Sequence, residues 1–543
     1  MSLKKAYQQS PLFNEVRTSD VPNSHFDLSA PHLLSAKFNK LIPFYLQQDV
    51  LPGEKFDISA QMLVRTQPML YPIMSQVQVV THYFAVPKRL LWDEWETFIT
   101  GGADGTSAPV YPRFSPWNMW NEYGIQPNMV SSSLSDYFGL PIIDSTDTTK
   151  TCWKDEYIDM LPFRAYAFIY NEYYRDQNLT EPIEYSTGTY PLSNYSTDDI
   201  YEFERLLTLR TKCWDKDYFT SALPFAQRGD AVTLPFLGNA PLKNTDLSAT
   251  IYNTTASDSD SVRFLRTSST GGELYGGSEL LTIQPSFTDQ PYADLSDATA
   301  ITIEELRRAN KAQRWLENNA KGGARYKEQI LTHFGVTTSD SRLQRPEYLG
   351  GSKTNIRISE VLQTSESDST PLGEMSGHGY ALDSIPRASY VAEEHSIIIG
   401  IMSIVTPPVY SNQGINRHWQ KFDKFDHAFP EFAQLGEQEV LNKELYITDD
   451  NKNNEIFGYQ SRFAEYKFGT ASIHGDFRTS QDSWHLARHF DNRPLLNTAF
   501  VESSASDRIF NVIDTDYDKF NIILYNEVSA LRCLPLFVTP TLE

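Results

Sequence analysis

Two runs of alternation near the start of the chain limit what it can fold into. Phe56, Ile58, Ala60 and Met62 alternate with polar neighbours, and Val77, Val79, Thr81, Tyr83 and Ala85 alternate in the run VQVVTHYFAVPKRLLWDEW. A period of two sends alternate side chains to opposite faces, which marks strands rather than helices. The strand before them, in KFNKLIPFYLQQDV, is expected to end before Asp49, and Leu51-Pro52-Gly53-Glu54 reads as the next turn. Pro87 stops the strand that follows. After residue 380 the strand signals return as short runs, EEHSIIIGIMSIV, KELYIT, IIL and PLFV, separated by turn residues. Short strands at both ends, helices and long loops between them, and no βαβ alternation predict one antiparallel sandwich with swollen connections. The expected fold class is therefore mainly β: a jelly roll, an eight-stranded antiparallel β-sandwich or barrel, with long interstrand insertions containing helices.

The helices are legible by their spacing. Residues 88–98 predict a short helix with Leu91, Trp95 and Phe98 on one face, and 160–178 a longer one with a core stripe of Tyr166, Ile169, Tyr170 and Tyr173. The best helix candidate spans 301–319, with Ile303, Leu306, Ala309, Gln313 and Leu316 on one face and Gly322-Gly323 as its stop. A second short helix and an Arg-Pro-Glu-Tyr-Leu-Gly-Gly turn then lead into a strand. Residues 101–150 read as loop, and Ser376-Gly377-His378-Gly379 as a flexible loop. Residues 230–300 are dense in Ser, Thr, Asp and Gly, and predict a surface excursion with a little structure of its own. Residues 1–30 are polar and predict an extended N-terminal arm. Although 543 residues allow about three or four domains, the pattern favours one interrupted domain over 1–543.

No constellation of catalytic residues emerges. His395, His418 and His427 lie near Asp423 and Asp426 without HExxH or HxH spacing, so packing or interface roles are expected. His485 and Cys533 suggest no nucleophile, because Cys533 sits between Arg532 and Leu534 in an apolar run. GxSxG and GxxxxGK[ST] are absent, and GSKT at 351–354 lacks the required first glycine. TASDSDSV at 255–262 lacks the spaced ligands of a calcium loop. Three widely spaced cysteines, Cys152, Cys213 and Cys533, fit a reducing cytoplasm better than a disulfide framework. The N-terminus has no apolar run of a signal peptide, and no stretch reaches the roughly 18 apolar residues of a membrane helix. The expectation is a soluble, non-enzymatic protein without cofactor or metal.

Several long patterns in fixed order resemble one family. They are SHFDLSAPHLLSAKFNKLIPFYLQQDVLPGEKFDISAQMLVRTQPMLYPIM (24–74), FIYNEYYRDQNL (168–179), ALPFAQRGDAV (222–232), the helix with GGARY and RLQRPEYLGG, QGINRHWQKFDKFDHAFPEFAQLGEQEV (413–440) and LRCLPLFVTP (531–540). Together they resemble the major capsid proteins of small icosahedral single-stranded DNA phages, the gokushovirus branch of the Microviridae. The resemblance implies a viral jelly-roll subunit, about sixty copies on a T=1 shell, and assembly in the bacterial host cytoplasm into a virion. It implies packaged single-stranded DNA, a small basic DNA-packaging peptide, internal scaffolding and DNA pilot proteins, and a host surface receptor as partners. The implied place for the 230–300 insertion is a protrusion near the threefold axis, used in attachment.

The charge speaks to the same partners. A net charge of −22 argues against a free-standing nucleic-acid binder. About sixty such copies would carry on the order of −1,300, and the DNA within adds phosphates, so a basic peptide, polyamines or divalent cations must neutralise it. Candidate DNA-facing side chains, chosen by N-terminal position, are Lys4, Lys5, Arg17, Lys37 and Lys40. The competing reading is a carbohydrate-binding jelly-roll adhesin or tail module, which the absent secretion signal and the helix-rich middle weaken. A hydrolase is a third class, with no acid–base pair to support it.

Overall fold

The computed structural model describes residues 23–143, 153–191, 195–230, 303–362 and 375–537 apart from a few single positions, together with the backbone of short strands between 242 and 293. The alternation read near the start becomes part of one large antiparallel sheet. Its strands are β1 (Ser24–Asp27), β2 (Ala30–Ala36), β3 (Ile42–Val50), β4 (Lys55–Thr66), β5 (Val77–Pro87), β6 (Glu347–Leu362), β7 (Met375–Val391), β8 (Ser396–Val405) and β9 (Phe520–Arg532). They run in the order β1-β9-β4-β7-β6-β5-β8-β3, with β2 also paired to β9.

The sheet curls, so strands far apart in that order share a core. Phe56, Ile58, Ala60, Met62 and Val64 of β4 meet Tyr83 of β5, Phe44 of β3 and Phe520, Ile522 and Leu524 of β9 in one buried cluster. The side chain of Asn526 in β9 donates to the carbonyl of Phe44 in β3 at 3.3 Å, across the inside of the curl. The chain is thus mainly β, with the half-barrel of a jelly roll and helices in its insertions.

β8 shows why its sequence does not alternate. All ten residues of SIIIGIMSIV are buried. Ile398, Met402 and Ile404 enter the curled core, whereas Ile397, Ile399 and Ile401 enter a second core on the other face. That second core is built by helices α1 (Leu161–Ile169) and α2 (Thr197–Leu207) with Trp92 and Phe114. Gly400 lies between the rings of Phe44 and Tyr83, where a Cβ would come within about 3 Å of both. A third cluster packs Tyr218, Phe219, Tyr410, Phe457 and Phe500 around the hairpin of Glu437–Leu441 and Ile456–Ser461.

Several expectations need correction. The main strands are long, β6 having 16 residues and β7 17. β3 runs past Asp49 to Val50. The YLGG motif is not a turn but lies inside β6, at a bulge where Tyr348 and Gly350 pair with successive residues of β5. Ser376-Gly377-His378-Gly379 is no flexible loop but part of β7. There Gly377 lets the Tyr71 carbonyl approach, and Gly379 donates its N–H to Thr66 Oγ1 at 2.8 Å. Within KELYIT the chain makes a short helix, Asn442–Leu445, and the expected 88–98 helix divides into a 3-10 turn at Lys88–Leu90 and a helix at Trp95–Thr100. The 160–178 helix ends sooner, α1 giving way to a π turn at Tyr170–Tyr174, while Tyr166, Ile169 and Tyr170 are buried as read.

Residues 229–317 form a compact unit separate from the remainder. Its backbone contains a four-stranded antiparallel sheet, with Arg266–Thr267, Leu274–Gly276, Glu279–Ile283 and Ile251–Asn253 in that order, and Leu242–Lys243 paired with Tyr292–Ala293. Helix α3 (Ile303–Gly322) follows, and Gly323, at φ +95°, ends it as the sequence predicts. Helix α4 is Tyr326–Phe334. Among the described residues no helix is long and apolar enough to cross a membrane.

Candidate assembly surface

The face of the sheet opposite the curled core carries an unexpected row. In the strand register Leu382 of β7 pairs with Leu63 of β4, Leu63 with Ile523 of β9, and Ile523 with Leu33 of β2. Four aliphatic side chains therefore line up across four neighbouring strands, pointing away from the core. Leu33 is 80% and Leu382 76% exposed, and Ile523 is half exposed. The rows beside it mix aromatic and polar side chains: Tyr380, Arg65, Asn521 and Ser35 on one side, Ser384, Gln61, Tyr525 and Pro31 on the other. A concavity of about 420 Å³ lies along it, lined by Leu33, Leu34, Leu63, Arg65, Asn521 and Ile523. An apolar strip flanked by exposed tyrosines and polar side chains has the anatomy of a protein interface. The sequence does signal it. MLV at 62–64 and IIL at 522–524 place apolar residues on both parities of otherwise alternating strands, which a strand with one wet face does not need.

The helices after the insertion have a similar surplus. No residue of α4 is buried, and Tyr326, Leu331 and Phe334 are exposed. α4 is nonetheless held firmly. Arg325 donates to the Asn171 carbonyl at 2.8 Å, and Lys327 pairs with Asp340 at 2.5 Å. Ile303 and Leu306 at the start of α3 are exposed as well.

Of the basic residues selected by sequence, Lys4, Lys5 and Arg17 lie outside the described residues. Within the expected 1–30 arm, residues 1–22 are outside them too, and Ser24–Asp27 pairs with Ser529–Arg532. Lys37 and Lys40 are half-buried, and Lys40 lies close to Glu502, Lys37 and Arg210. Lys40 Nζ donates to Thr211 Oγ1 at 3.0 Å. Burial holds its ammonium below the ordinary lysine range, with Lys37 and Arg210 adding repulsion against the pull of Glu502.

The histidines do not converge. His395 packs edge-on against Trp95, and burial lowers its proton affinity. His418 donates to the Glu465 carbonyl at 3.0 Å, His427 is exposed, and His485 donates to the Phe477 carbonyl at 2.6 Å. Cys213 and Cys533 are free thiols; burial pushes Cys213 up, and Cys533 Sγ lies 3.6 Å from the Pro52 carbonyl. Among the described residues no group of three His, Cys, Asp or Glu side chains is placed to hold a metal.

Comparison with known proteins bears on these surfaces. Residues 14–542 match the family model described as capsid protein (F protein). Three relatives are each named capsid protein VP1. That of Chlamydia phage 1 is 34% identical, over 98% of this chain and 97% of its own. That of Bdellovibrio phage phiMH2K is 33% identical, over 93% and 92%. That of Spiroplasma virus 4 is 30% identical, over 98% and 97%.

Proposed function

This chain belongs to the phage capsid F-protein family and is a major capsid protein of the gokushovirus kind, and from that premise we propose that about sixty copies close into a T=1 shell around single-stranded DNA. The role is structural and non-catalytic. Association proceeds by burying apolar surface that one copy leaves wet, and the row Leu33–Ile523–Leu63–Leu382 is the observation that carries the reading. A monomer gains nothing from four aliphatic side chains aligned in water, whereas a shell contact gains their burial at roughly 25 cal/mol per Å².

The DNA, a basic packaging peptide, scaffolding and pilot proteins, and the cytoplasm of the bacterial host complete the proposal. The segment 230–300 serves as the attachment protrusion near the threefold axis. The basic candidates Lys4, Lys5, Arg17, Lys37 and Lys40 are proposed to face the DNA. Electron microscopy of the chain expressed with its genome and companion proteins tests the whole: closed particles of one small size are expected, and a monodisperse monomer at high concentration rejects it. Deleting 230–300 should leave particles intact and abolish adsorption to the host.

A further inference from the structure

One segment is built inside out. Residues 413–435 leave the third core cluster, make three 3-10 turns (Arg417–Gln420, Lys424–Asp426 and Pro430–Phe432) and return at Gly436, whose φ is +105°. Both ends are fixed, the exit by Glu437, which pairs with Ser461 in the hairpin, and by Gln438, whose side chain accepts the Phe463 N–H at 2.8 Å. Gln413 donates to the Phe490 carbonyl at 2.8 Å and accepts the Phe490 N–H at 3.1 Å. Gly414 is pressed against the backbone of Glu444 where no Cβ fits, and the Ile415 N–H donates to the Lys443 carbonyl at 2.8 Å.

Between these ends three basic side chains turn their polar heads inward. Arg417 donates to the Glu439 carbonyl at 2.5 Å and to Glu444 at 3.2 Å. His418 donates to the Glu465 carbonyl. Lys421, nearly buried, pairs with Glu465 at 2.9 Å and sits 3.9 Å from the Tyr466 ring centre. The aromatic side chains point outward. Trp419 is 80% and Phe422 91% exposed; Phe425, Phe429 and Leu435 are exposed too. Phe432 braces Phe425 and Phe429 edge-on, with ring centres 5.8 and 6.1 Å away.

This is the reverse of what a solitary protein needs. Two cations, Arg417 and Lys421, are drawn onto buried carboxylates while large rings are presented to water, on a scaffold with little freedom left to lose. A preorganised apolar surface costs little entropy to dock, and exposed aromatic anchors are what interface hot spots are made of. At about 150–250 Å² per ring, these five side chains offer roughly 600 Å² of apolar area. That approaches the ~800 Å² per partner of a standard interface.

We propose that the aromatic ridge at 413–435 docks on a second copy of this chain, as a fixed bracket between subunits of the shell. The inference rests on the capsid reading, which supplies the abundance of identical copies; the area and the inward-turned cations supply the surface.

The experiment uses the full chain expressed with its genome and companion proteins. Trp419→Ser/Phe422→Ser should keep the thermal unfolding of the unassembled subunit unchanged and cut particle yield by about tenfold or more, as loss of a hot spot does. A photo-crosslinking amino acid at position 422, in otherwise wild-type particles, should yield covalent dimers of this chain. Wild-type yield from the double variant overturns the bracket and leaves the capsid reading standing. So does a crosslink made only to nucleic acid or to another virion protein. Failure of the wild-type chain to form any particle overturns the capsid reading, and the bracket with it.

Discussion

Position 351 has room for hydrogen and nothing larger. Gly351 of β6 pairs with His82 of β5 beside the bulge, and a Cβ there would overlap the Thr81 carbonyl oxygen and touch the His82 ring. Gly350 before it has φ +147°, a conformation side chains rarely adopt. The sequence could mark two glycines but not their use, because a turn and a bulge ask for the same residue. Gly351→Ala is expected to cost about 2–4 kcal/mol by overpacking; denaturant unfolding measures it, and a loss under about 0.5 kcal/mol would show the sheet yielding freely. His82 itself faces Tyr174, 2.7 Å away, and burial lowers its pKa to about 4, with Lys212 adding to the effect. For a base depressed on folding, the unfolded chain takes up a proton first. Stability is therefore complete above about pH 6.5 and falls as pH drops from there towards 4. The loss between pH 7 and pH 5 is expected to be about 2 kcal/mol, and His82→Phe, which cannot titrate, should lose that much less. Identical pH profiles for the two chains would contradict the assignment.

Elements differ in how openly the sequence displays them. β4 was legible because one face is core and the other is wet, so Phe56, Ile58, Ala60 and Met62 alternate cleanly. β8 reads as a strand without showing which partners it has, because a run buried on both faces has no period. β7 hid its start, since Gly377 and Gly379 answer to Tyr71 and Thr66, which are distant in sequence. The basic candidates and the sheet row differ in what the sequence could say of them. Lys4, Lys5 and Arg17 were chosen by position alone, while the row arises only once Leu382, Leu63, Ile523 and Leu33 fall into register. Two substitutions separate the roles of such residues. Ile399→Ala, in a core, is expected to cost about 2–5 kcal/mol of subunit stability. Leu33→Ser/Leu382→Ser should change subunit stability by no more than about 0.5 kcal/mol per site while lowering the yield of particles. Calorimetry of the subunit paired with sedimentation of the assembly reads both, and a double variant that assembles normally would remove the row from the interface.

At the scale of the whole molecule, the forces between copies oppose each other. Each chain brings −22 to its neighbours, and that repulsion reaches about 30 Å at 0.01 M salt but only about 10 Å at 0.1 M. The attraction available on the sheet row and on α4 comes from Leu, Ile, Tyr and Phe, whose burial is not screened by salt. Raising ionic strength should thus weaken the term that separates subunits and spare the term that joins them. Formation of empty shells is expected to increase from about 10 mM to about 300 mM NaCl, with Mg²⁺ more effective than Na⁺ at equal ionic strength because divalent ions also neutralise paired carboxylates. A shell joined mainly by ion pairs would respond the other way, dissolving as salt screens its contacts. Light scattering across a salt series distinguishes the two by sign alone. A falling particle yield would mean that opposite charges, distributed within a chain of net −22, hold the copies together.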